Sequence, residues 1–133
     1  MILEENKIVD QAQQVMGNLS QKGHMVTTSQ IRKFLTAVNT VTEKVNAYKL
    51  EKTDDYDTLP VELQAQIKYL KVKLAYQIGR NRSKWGNPVE DFEKEARLMS
   101  LIDGIKSSTK EYEKFAHYIE ALVAFHKFYG GKD

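Results

Sequence analysis

Residues 27–50 read TTSQIRKFLTAVNTVTEKVNAYKL. Ile31, Phe34, Leu35, Val38, Val41, Val45 and Tyr48 recur in it at steps of three and four, the period of an α-helix with one apolar stripe. A start signal precedes the stripe. Thr27 and Gln30 have the spacing of a capping box, in which the hydroxyl accepts from a first-turn amide and the glutamine side chain reaches back. The spacing predicts an amphipathic helix from TTSQ to about Leu50.

The same period extends in both directions. Upstream, Ile8, Val9, Ala12, Val15, Met16 and Leu19 form a stripe over residues 4–20, followed by a polar stretch at 20–24. Downstream, residues 51–58 read as a loop, and Pro60 suits the first turn of a helix over 60–80, where its missing N–H is not needed. Leu63, Ile67, Leu70, Leu74 and Ile78 share one side of that helix, while Tyr69, Val72 and Tyr76 fall on the roughly opposite side. A bundle buries both faces when this helix is central, which is the arrangement expected; otherwise the second face is exposed. Asn87, with Glu90 three residues on, signals a further start for a helix over 88–105 carrying Val89, Phe92, Ala96, Met99 and Ile102. Ser108 and Glu111 repeat the spacing before a last helix with Tyr112, Phe115, Ala116, Ile119, Leu122, Val123 and His126 on its stripe, ended by Gly130 and Gly131. With no internal repeat and no second domain visible, the expectation is an all-α fold, a single compact bundle of about five helices spanning residues 1–133.

Composition narrows the function. The chain of 133 residues is 41% hydrophobic and 29% charged, enough for one core, without an apolar run near the roughly 20 residues of a membrane span. MILEENKIVDQAQQ lacks the basic start and apolar centre of a secretory signal, so a cytoplasmic location and no membrane partner are expected. The absence of cysteine removes disulfides, thiol catalysis and cysteine-ligated metal sites. GxxxxGK[ST], GxGxxG and GxSxG are also absent. Glu113, His117 and Glu120 share one exposed helix face, but a di-iron bundle needs matching Glu-x-x-His pairs on two helices, and His24 falls in a loop. A solvated face is the expected reading, and His126 reads as a core histidine bonded through one nitrogen. No catalytic residue, metal or cofactor is expected, and the chain reads as no enzyme.

The formal net charge is only +2, but the charges are unevenly placed. EKTDDYD at 51–57 holds four acids and one lysine, whereas residues 64–86 hold Lys68, Lys71, Lys73, Arg80, Arg82 and Lys84 without an acid. Tyr69, Tyr76 and Trp85 are interleaved with these cations. Cations neutralise phosphates and aromatic faces stack on bases. On charge alone, phosphate contact and an ordinary solvated surface both remain open. Arg80 could instead cap helix carbonyls or pair with Asp54 and Asp55. A second candidate lies at the start of the helix after residue 27, where Thr27, Thr28 and Ser29 accompany Arg32 and Lys33, which project away from the apolar stripe. Helix-turn-helix readout is disfavoured, because the acidic linker is too long for its tight turn.

Three segments, TTSQIRKFL at 27–35, YLKVKLAYQIGR at 69–80 and EALVAFHKFYGGKD at 120–133, together resemble the small subunit of the type III-A CRISPR effector, the Csm interference complex. The match runs in order from about Thr27 to the C-terminus. The first 26 residues match poorly, and NRSKWGNPVEDF at 81–92 is longer than the family's usual step between helices. The resemblance implies a helical subunit present in several copies, stacked as a filament beside the other subunits of the effector complex along guide RNA and target RNA. It also implies no nuclease of its own. Carried over by motif, contacts to an RNA backbone are expected at Arg32, Lys33, Lys68, Lys71, Lys73 and Arg80, with Arg82 added from charge alone. The competing reading is a helical protein–protein adaptor that touches no RNA. The isolated chain is expected to be a monomer or dimer.

Overall fold

The computed structural model describes residues 3–23, 25–51 and 56–131. A single 3₁₀ turn at Glu5–Lys7 leads into α1, Ile8–Gln21; α2 follows at Thr28–Glu51, α3 at Val61–Arg80, α4 at Pro88–Ala96, α5 at Leu98–Ile105 and α6 at Thr109–Phe128. The described residues form no extended strand; an isolated antiparallel bridge joins Thr58 to Ser108. Leu59 N–H donates to the Ser107 carbonyl at 2.8 Å and Thr109 N–H to that of Asp57 at 3.0 Å, so the loop before α3 is laced to the turn before α6.

The capping signals operate as the sequence indicates. Thr27 and Gln30 exchange side-chain bonds with each other's backbone N–H at 3.1 and 2.9 Å. The Asn87 side chain accepts from Glu90 N–H at 3.1 Å, and its amide donates to the Ile78 carbonyl at 2.7 Å, tying the start of α4 to the end of α3. Ser108 accepts from Glu111 N–H at 3.1 Å.

Two expectations change. The helix read over 88–105 is two helices, giving six among the described residues in place of about five, because Arg97 adopts left-handed φ 58° and ψ 41°. The reason lies in the apolar pattern. On a straight helix Leu98, Leu101 and Ile105 would project nearly opposite Val89, Phe92 and Ala96, and the break turns both sets into the core, where all are buried. A non-glycine residue in this conformation costs about 1–2 kcal/mol. Two bonds offset it: Tyr118 Oη donates to the Ala96 carbonyl at 3.1 Å, and Glu93 accepts from Met99 N–H at 3.2 Å.

The central helix is α6, which packs against α1, α2 and α5, whereas α3 lies against α2, α4 and α5. Tyr112, Phe115, Tyr118, Ile119, Leu122 and His126 of α6 are all buried. Tyr69, Val72 and Tyr76 of α3 are 57%, 50% and 68% exposed, so the second face of α3 is a surface. Val9 of the α1 stripe is also exposed, while its other members are buried. His126 is a core residue, with Nε2 2.6 Å from the Val26 carbonyl. A carbonyl only accepts, so Nε2 carries the proton.

Tyr112 lies in the α2–α6 seam, its hydroxyl 2.7 Å from Thr42 Oγ1 and donating to the Val38 carbonyl at 3.0 Å. Burial pushes its pKa up to about 12. The folded state therefore holds this proton more tightly than the unfolded chain, whose tyrosines titrate near 10. Stability from Tyr112 is complete below about pH 10 and is lost as pH rises from 10 to 12. Denaturant midpoints measured from pH 8 to 12 should fall above about pH 10, and Tyr112→Phe should make that fall shallower; an unchanged alkaline profile would contradict the burial argument.

Candidate nucleic-acid interface

The start of α2 and the end of α3 are joined by side-chain amides. Gln30 Nε2 donates to Asn81 Oδ1 at 3.0 Å, Asn81 Nδ2 to the Gln77 carbonyl at 2.7 Å, and Gln77 Nε2 to the Gln30 carbonyl at 3.3 Å. Gln30 thus caps α2 and clasps α3 together. The α2–α3 seam above this clasp is a groove of about 570 Å³. Phe34 contributes to its floor, Tyr69, Val72 and Tyr76 form one wall, and Lys33, Lys73 and Arg80 border it.

Along the same seam a second depression shares Tyr69 and Lys73 and adds Lys44 and Gln66. Lys44 follows Lys33 by eleven residues, about three helical turns, so the two lie on one flank of α2 about 16 Å apart along its axis. Among the described residues no carboxylate lines either part. Lys73 Nζ stands 6.0 Å from the Tyr69 ring centroid, within reach of its π face. Four cations and two exposed tyrosines share a channel free of acids among the described residues, which suits a polyanion bearing flat rings.

The seven expected contact residues divide by place. Lys33, Lys73 and Arg80 meet in the groove, although they come from two segments distant in sequence. Arg32 is exposed in a shallow depression beside it, with Ser29 and Lys33 in common. Lys68 and Lys71 lie on the other flank of α3; Lys68 is exposed, and Lys71 Nζ pairs with Asp103 at 2.8 Å. Arg82 lies apart, in a depression that includes Glu90. Lys84 Nζ is 5.1 Å from the Trp85 ring in the loop before α4, and Trp85 is 78% exposed. The alternative partners of Arg80, Asp54 and Asp55, fall outside the described residues, as does His24. Sequence reasoning missed Lys44, whose signal was its three-turn spacing from Lys33, and it missed the clasp, which joins residues 51 apart in the chain.

The other titratable face is arranged differently. Glu113 Oε2 accepts from Lys49 Nζ at 2.7 Å, and that bond raises the lysine above its ordinary pKa. His117 and Glu120 are exposed. Among the described residues no group of three His, Cys, Asp or Glu is placed to hold a metal ion, and no helix is long and apolar enough to cross a membrane.

Fold and groove define the chain's class: a small all-helical protein with a basic, aromatic groove between two of its helices. Within that class it belongs to the Csm2 Type III-A family, whose profile matches residues 3–132; this is the small subunit of the type III-A CRISPR complex. The match takes in most of the first 26 residues, which the motif resemblance had left out. A Streptococcus thermophilus "CRISPR system Cms protein Csm2" is 33% identical over 135 residues, covering 99% of this chain and 98% of that one. The protein of that name from Enterococcus italicus is 32% identical over 92% of this chain and 84% of its own, and that from Mycobacterium tuberculosis is 29% identical over essentially the full length of both.

The clasp and the cations are separable. Gln30→Ala removes a cap and leaves Asn81 short of a donor, and should lower unfolding free energy by about 1–2 kcal/mol. Lys33→Ala, at an exposed position, should cost no more than about 0.5 kcal/mol. Urea unfolding of the two variants checks this, and equal losses would contradict the assignment of the clasp.

Proposed function

We propose that the chain is a non-catalytic RNA-binding scaffold subunit of the type III-A CRISPR ribonucleoprotein, acting in defence against foreign nucleic acid from the cytoplasm. It lines the path of guide RNA and target RNA beside the other subunits, with neighbouring copies of itself in a row. The supporting observation is the seam, free of acids among the described residues, in which Lys33, Lys73 and Arg80 meet. Cations in a groove neutralise phosphates without reading base edges, so binding is independent of sequence and pairing supplies specificity. Arg32 extends the basic surface at the start of α2. Lys68, Lys71 and Arg82 contribute from outside the groove, Lys71 least among them because Asp103 already holds it.

Each cation that meets a phosphate releases roughly one counterion. Alanine at Lys33, Lys73 or Arg80 should therefore reduce the slope of log affinity against log salt by nearly one unit each, with an unchanged melting temperature. Filter binding of RNA across a salt series checks this. A triple variant that assembles into the complex and binds target RNA with unchanged affinity and slope would overturn the RNA reading in favour of a protein–protein adaptor.

A further inference from the structure

The groove carries more apolar ring surface than phosphate contact requires. Tyr69 and Tyr76 are more than half exposed, yet they stand among Lys33, Lys73 and Arg80. Two exposed tyrosines and an exposed valine, Val72, on one helix face form a surface that burial in this chain does not explain. Its occupant must be apolar and flat where it meets the rings and anionic where it meets the cations. The described lining holds no acid to repel such an occupant, and the groove volume of about 570 Å³ lies in the range that holds nucleotide-sized ligands.

We infer that the α2–α3 groove holds unpaired RNA, with bases stacked on Tyr69 and Tyr76 and the backbone lying along Lys33, Lys73 and Arg80. This rests on the RNA-binding reading above and adds the state of the strand. In an A-form duplex the base faces are stacked on one another and closed to side chains, so a tyrosine platform selects bases that are not paired. Tyr69 and Tyr76 are seven residues apart, about 10 Å along the helix axis, so each offers its own platform. Stacking is tolerant of base identity, since every base presents a π face.

The test uses the purified full chain with three probes of equal length: a single-stranded uridine–adenosine oligomer, the same backbone with abasic sites, and a blunt RNA duplex. Tyr69→Ala and Tyr76→Ala should each weaken single-strand binding about fivefold or more, leave the salt slope unchanged, and leave abasic and duplex affinities unchanged. Phenylalanine at either position should restore single-strand binding, and leucine should not. Melting temperatures should stay at the parent value, because both residues are exposed. Normal salt-dependent RNA binding with no effect of the tyrosine variants or of abasic sites would overturn the stacking inference while leaving the RNA scaffold intact. Tyrosine variants that bind RNA normally but fail to self-associate or to join the complex would overturn it by assigning the face to a protein contact. Absence of RNA binding by the parent chain at low salt would overturn both.

Discussion

The burial of α6 sets the rest of the arrangement. Its stripe of Tyr112, Phe115, Tyr118, Ile119, Leu122 and His126 occupies the middle of the molecule, with α1, α2 and α5 packed around it. A large apolar side chain contributes about 1.5–3 kcal/mol when fully removed from water, so a helix with this many gains most from the central position. Only one face of α3 then meets the core, and its second apolar face remains outside. The groove is a consequence of which helix took the centre.

Polar contacts at helix ends fix how the helices meet. Asn87 bonds the end of α3 to the start of α4, Tyr118 reaches the carbonyl at the α4–α5 break, and Gln30, Gln77 and Asn81 hold α2 against α3. These bonds position the cations without using them. Among the described residues Lys33, Lys73 and Arg80 join no ion pair, whereas Lys71 and Lys49 are held by Asp103 and Glu113. The fold thereby sorts chemically equivalent lysines into structural and available ones.

Much of this was legible in the sequence. The periodicity of α1, α2, α3 and α6 and the caps at Thr27, Asn87 and Ser108 are local signals, and the structure repeats them. The break at Arg97 was not legible, since neither glycine nor proline marks it and its cause is where Leu98, Leu101 and Ile105 must go. The place of α3 was not legible for a related reason: two apolar faces are compatible with a central helix or with a helix that keeps a surface for something else, and only the packing of α6 decides. Of the candidate site, the two basic segments were visible as segments. Their meeting was not, because it depends on an amide clasp between distant residues, and Lys44 had no basic neighbourhood to draw attention to it.

Photochemical crosslinking of the assembled ribonucleoprotein, with 4-thiouridine placed throughout the target RNA and the joined peptides identified by mass spectrometry, tests the central claim most directly. The account predicts crosslinked peptides from this chain that map to residues 27–35 and 69–80, the two walls of the α2–α3 seam. Efficient crosslinks confined to α6, to the Glu113–Glu120 face or to the loop at Trp85, with the seam untouched, would contradict it.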